Sequence, residues 1–106
     1  MFTMKLRLIF PPSKTAEAIT IINSVAGPTL ADPDCVSFRF YREVANDDSL
    51  ILWQEWETRE ALEQHIRSKD FMKILTVMDL ATQEPEVRIQ TLSNRKGFEF
   101  IEELRS

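Results

Sequence analysis

Apolar and polar residues alternate from the start of the chain. Phe2, Met4, Leu6, Leu8 and Phe10 fall on one face, and Thr3, Lys5, Arg7 and Ile9 on the other. Period two is the mark of a strand. Pro11-Pro12-Ser13 stops it, and Ser13 offers an N-cap for a helix. Between Lys14 and Ala26 the period changes: Ala18, Ile19, Ile22, Val25 and Ala26 recur at helical spacing and predict one buried stripe. Gly27-Pro28 weakens or ends that helix, and Asp32-Pro33-Asp34 reads as a turn. A second strand is predicted from Cys35 to Val44, with Val36, Phe38 and Phe40 on one face and Ser37, Arg39 and Tyr41 on the other. Ala45 to Ser49 supplies hairpin-turn residues. Leu50-Ile51-Leu52-Trp53 has no polar face, so this strand is expected to be covered on both sides.

Thr58 caps a short helix from about Arg59 to Arg67. Ser68 or Asp70 begins the next one, whose stripe is Phe71, Ile74, Leu75, Met78 and Ala81. Pro85 opens a last strand pattern, Glu86 to Leu92. After a polar bend at Ser93 to Gly97, the segment Gly97-Phe98-Glu99-Phe100-Ile101 alternates again and predicts a strand-like tail. The order is that of an α+β, ferredoxin-like βαββαβ domain filling residues 1–106 as one unit. Its helices cover one face of the sheet. The other face is expected to carry large apolar side chains from Leu50 to Trp53, a patch best covered by a second copy, which predicts a homodimer packed sheet to sheet.

A length of 106 residues and 43% hydrophobic content suit one globular domain with a modest core. The net charge of -4 leaves no basic footprint for nucleic acid. Lys5 and Arg7 interrupt the apolar start, so it does not form a signal-peptide core. No apolar run approaches the roughly 20 residues of a membrane span, so no membrane partner is expected. One unpaired cysteine, Cys35, suits the reducing cytoplasm. One His and one Cys cannot build a structural zinc site, HExxH, CxxC and phosphate-loop patterns are missing, and two glycines cannot write a dinucleotide fingerprint. A cofactor would have to be held by shape and apolar contact.

The stretch Trp53 to His65 holds both tryptophans and the only histidine. In the helix after Thr58, three- and four-residue spacing puts Ala61, Leu62, His65 and Ile66 on one face, so His65 points toward the sheet. A neutral imidazole there accepts a proton at physiological pH. It equally fits a core histidine satisfied by a carbonyl or water. Trp56 and Trp53 project to opposite faces; packing is the favoured account of both, with a pocket wall for Trp56 and the dimer interface for Trp53 as the functional readings. Glu55 orients a neighbour or pairs with a base. Arg39 and Tyr41, on one strand face, could donate to an oxyanion. Cys35 reads as a small buried hydrophobe.

The residues Glu55-Trp56, Arg59-Glu60-Ala61-Leu62, His65, Ser68 and Phe71 resemble the signature of the antibiotic biosynthesis monooxygenase (ABM) domain family: a hydrophobic strand ending in Glu-Trp, then EAL-x-x-H, then S-x-x-F. The similarity runs in weaker form from the first strand to Pro85-Glu86-Val87, and Cys35 matches a common family position where Asp34 replaces the usual glycine. The resemblance implies a dimeric α/β barrel with a ligand cavity between helices and sheet in each protomer. It also implies oxygenase chemistry without metal or flavin on a quinol-like or polyphenolic aromatic, with His65 as base or substrate hydrogen-bonding group and Trp56 as a pocket wall; Glu55, Arg39, Tyr41 and Phe71 are further candidates for binding the substrate. A non-catalytic small-molecule-binding or stress-related dimer, or an isomerase on the same fold, are the alternatives. The haem-degrading branch is set aside. The first strand has no Asn, His65 stands where that branch has Trp, and Leu75 where its haem-ligating His would fall.

Overall fold

A computed structural model describes residues 1–92 and 96–106. Four strands, β1 (Phe2–Ile9), β2 (Cys35–Glu43), β3 (Asn46–Trp56) and β4 (Glu86–Thr91), form one antiparallel sheet in the order β2-β3-β1-β4. The helices are α1 (Pro12–Leu30), α2 (Arg59–Ile66), α3 (Lys69–Leu80) and α4 (Phe98–Arg105). This is the ferredoxin-like α+β plan, with an open sheet whose edges are β2 and β4.

The core follows from strand parity. β1 pairs with β3 so that Met4 faces Gln54, Leu6 faces Leu52 and Leu8 faces Leu50. All these apolar side chains are buried under the helices with Phe10, Phe38 and Trp56. Against them α1 lays Ala18, Ile22 and Val25, and α3 lays Phe71, Ile74 and Val77. Opposite-parity residues of β3, Ile51 and Trp53, are only partly buried, and their neighbours across the ladders are Arg7, Lys5, Tyr41 and Arg39. The outward face is therefore a small apolar island in a charged frame, not the continuous apolar patch expected. One row across the sheet reads Arg39, Trp53, Lys5, Arg88.

Four local expectations change. Helix α1 starts earlier, with Pro11 at the N-cap and Pro12 in its first turn, and Ser13 is not the cap. It also runs through Gly27-Pro28 to Leu30. Proline removes one backbone donor, but so near the helix end little is lost: Thr29 Oγ1 bonds the Val25 carbonyl at 2.8 Å and Ala31 N bonds that of Gly27 at 3.1 Å. In β2 a bulge lies between Cys35 and Ser37, so Val36 is the extra residue and leaves the face of Phe38 and Phe40. The hairpin turn is Val44-Ala45, since Glu43 already pairs with Asn46. Finally, the tail after Gly97 is not strand-like; it is helix α4. Alternation over Phe98 to Phe100 is too short to decide, whereas Phe98, Ile101 and Leu104 follow the three-residue step of a helix, and the Glu99 carboxylate closes the N-terminus by accepting from Gly97 N at 2.9 Å. No α4 side chain is buried. The expected bend at Ser93 to Gly97 lies partly outside the described residues.

The burial contrast within α3 is testable. Ile74 has no exposed surface and Met72 is mostly exposed. Ile74→Ala should cost about 2–5 kcal/mol, and Met72→Ala less than about 0.5 kcal/mol. Urea denaturation measures both.

Candidate active site

Two hydroxyl caps position the imidazole. The Thr58 side chain accepts from Ala61 N at 3.1 Å and starts α2 where β3 ends, which turns Ala61, Leu62 and His65 toward the sheet. Three residues after His65, Ser68 Oγ accepts from Phe71 N at 3.2 Å and donates to the His65 carbonyl at 2.6 Å. One hydroxyl thus joins the last turn of α2 to the first of α3. His65 is held between two aromatic rings, Trp56 at 4.7 Å between centroids with a 30° tilt, and Phe71 edge-on at 5.4 Å.

His65 is 7% exposed, and its Nε2 is buried with no hydrogen-bond partner among the described residues. Burial lowers its pKa from the ordinary 6.5, while the Asp70 and Asp32 carboxylates pull it partly back up. At neutral pH it is a neutral base. His65 and Trp56 line a cavity of about 260 Å³ with Pro28, Thr29 and Asp32 from the end of α1, Gln64, and Ser68 and Asp70 at the start of α3. The hollow lies at one end of the helical layer, and its lining is more polar than an apolar pocket.

The expected site residues divide into two groups. Trp56, His65 and Phe71 meet on the helical side of the sheet. Glu55, Arg39 and Tyr41 lie on the other side, around a second depression with Val36, Ser37 and Trp53, so they cannot serve the same ligand as His65 within one chain. Glu55 there accepts from Ser37 Oγ at 2.8 Å. Trp53 and Trp56 do project to opposite faces. Cys35 is partly buried, and burial with Asp32 nearby pushes its thiol pKa up to about 11, which makes it a poor nucleophile. Among the described residues no three or more His, Cys, Asp or Glu side chains converge as metal ligands would.

Sequence reasoning missed Gln54. Its side chain is fully buried at a core-facing position of β3, and its Oε1 accepts from Trp56 Nε1 at 3.1 Å. The signal was present: a polar residue between Leu52 and Trp56, on the parity that serves the core.

An open ferredoxin-like sheet with a histidine-lined hollow at one end of its helical layer defines the class. The sequence profile described as Antibiotic biosynthesis monooxygenase matches residues 1–76, and the chain belongs to that family. Solved structures agree in fold. A conserved protein from Methanosarcina mazei Go1 is 27% identical, with a TM-score of 0.79 over 84% of this chain and 89% of that one. Protein Rv0793 from Mycobacterium tuberculosis is 20% identical, with a TM-score of 0.82 over 91% and 98% of the two chains. A structure described as antibiotic biosynthesis monooxygenase is 15% identical, with a TM-score of 0.80 over 89% and 100%. Among curated proteins, the uncharacterized sll1783 of Synechocystis is 26% identical over 83 residues, 77% of this chain and 56% of its own length. The chain spans about half the length of that relative.

A lowered imidazole pKa has a stability consequence of fixed sign. Between the folded and unfolded values the unfolded chain binds more protons, so stability rises with pH there. The His65 contribution is complete above 6.5 and declines as pH falls through the lower folded value. His65→Gln should flatten that acid-side decline, as urea titrations at pH 7.5, 6 and 5 will register.

Proposed function

We propose that this chain is a cofactor-independent monooxygenase that oxidises a small quinol-like or polyphenolic aromatic with molecular oxygen. The observation that carries the reading is a neutral, buried imidazole in the wall of a cavity, stacked on Trp56, its Nε2 without a partner among the described residues. In this reading Nε2 takes the phenolic proton, and the phenolate then gives electrons to oxygen. One oxygen atom enters the ring in place of a hydrogen and the other leaves as water. A hydroquinone plus O2 becomes a hydroxyquinone plus H2O, and all four electrons come from the substrate. Trp56 and Phe71 hold the imidazole and exclude water from it. The Asp32 and Asp70 carboxylates stabilise the imidazolium between the two proton transfers.

The polar lining formed by Asp32, Gln64, Ser68 and Asp70 favours one competing reading: proton transfer on a small carbonyl compound by the same His65, without oxygen. Oxygen-electrode measurements with reduced naphthoquinones separate the two. The expected result is uptake of one O2 per quinol consumed, reduced about 100-fold or more in His65→Ala, with an acid limb below pH 6.5 in the unaltered chain. Uptake no faster than that of heat-killed protein refutes the oxygenase reading for those substrates, and a quinone ligand recovered unchanged would assign the fold to binding alone.

The working unit in this reading is a cytoplasmic homodimer joined through the outward sheet face. The support is the partly buried Ile51 and Trp53 and the exposed Tyr41, three neighbours on that face; no helix of the described residues is long and apolar enough to cross a membrane. Sedimentation should give twice the mass of one chain, and Trp53→Glu should shift it to one. A monomer at tens of micromolar would remove the dimer from the proposal.

A further inference from the structure

We propose that Gln54 is a ligand-binding residue: its side-chain amide donates a hydrogen bond to the leading oxygen of the molecule that enters the His65 pocket. The assignment rests on the reading of that pocket as a binding site. It concerns a residue one layer deeper, under the indole of Trp56.

The orientation of the Gln54 amide is fixed by chemistry. An indole N–H can only donate, so the atom 3.1 Å from Trp56 Nε1 is the Gln54 oxygen. Turning the amide over would bring two donors together. The nitrogen therefore points away with both of its hydrogens, and it has no acceptor among the described residues although the side chain is fully buried. Its cross-strand neighbours are Met4 and Phe38, whose side chains offer at most a weak thioether acceptor.

The amide oxygen has a structural task, since leucine or methionine at that position would strand the buried Trp56 N–H. The amide nitrogen has none among the described residues, and a buried donor of this kind calls for a further reason. The second unpartnered nitrogen supplies one. The His65 ring, whose Nε2 is that nitrogen, lies against the same indole whose N–H Gln54 holds. Trp56, which lines the cavity, thus touches both side chains whose buried nitrogens lack partners among the described residues. Gln54 lies behind the lining of the hollow, so in this proposal a flat molecule displaces the edge of Trp56 as it enters and then meets both: a hydroxyl at the imidazole and an acceptor oxygen at the amide.

The two contacts differ in character. The imidazole changes charge with pH; the amide never does. Gln54 therefore selects ligands bearing a carbonyl or phenolate oxygen at their inner end and fixes which ring carbon faces outward, while His65 handles the proton. This is a positioning role, separable from base catalysis.

The test uses the full chain with 1,4-naphthoquinone, labelled with carbon-13 at its carbonyls, as probe. In the unaltered protein one carbonyl stretch should fall to lower frequency on binding, as hydrogen-bonded carbonyls do. In Gln54→Met, checked for folding by circular dichroism, the band should return to its unbound position and affinity should weaken about 3- to 10-fold. Gln54→Glu, protonated in so buried a place, should keep part of the shift. An unshifted band in the unaltered protein, or the same shift and affinity in Gln54→Met, overturns the proposal. A second measurement needs neither ligand nor variant. The Gln54 amide hydrogens, followed by NMR in the free chain, should exchange with water within seconds if the edge of Trp56 moves aside, and protection comparable to core backbone amides overturns the proposal. If naphthoquinone fails to bind, the pocket reading is at fault for that probe, and the exchange result alone decides the role of Gln54.

Discussion

The parity of β3 is the constraint on which the molecule depends. Leu50, Leu52, Gln54 and Trp56 face the helices; Ile51, Trp53 and Glu55 face away. Side chains in a strand alternate with period two, so a slip of one residue would exchange the two sets completely. The pairing with β1 prevents that, because Met4, Leu6 and Leu8 sit opposite the same core-facing positions. The site inherits this choice. Trp56 can support His65 only because it shares parity with the core, and Arg39, Tyr41 and Glu55 are kept from His65 for the same reason.

A second dependence is electrostatic. The pocket combines an imidazole that burial keeps neutral with two carboxylates close enough to oppose that shift. Burial is the larger effect and sets the direction, and the carboxylates offset part of it. The opposition is produced by elements distant in sequence, since Asp32 follows α1 and Asp70 lies in the first turn of α3. The hydroxyl of Ser68 sets the geometry by bonding both to the His65 carbonyl and to the first turn of α3.

The sequence carried the fold wherever a period ran long enough. Eight residues of alternation in β1 and the stripes of α1 and α3 were legible because burial selects for them directly. Shorter or exceptional features were not. The bulge at Val36 has no local signature, and a proline near a helix end reads the same whether the helix stops there or continues. The tail after Gly97 offers too few residues to separate the two periods. At the site, the motif that includes Trp56, His65, Ser68 and Phe71 led to a cluster that the folded chain does bring together. Arg39 and Tyr41 were placed by alternation alone, which fixes a face without saying what lies beyond it. Gln54 went unread because attention to reactive residue types passes over an amide.

Helix α4 has a consequence of its own. Eight residues with no buried side chain fall short of the roughly 12–15 that an isolated helix needs in water. Its Glu99 clasp and the Lys96 ammonium, 4.4 Å from the centre of the Phe100 ring, are exposed contacts that water weakens. A helix this short and this exposed is not held by its own eight residues, so how far it persists depends on whatever surface it leans on.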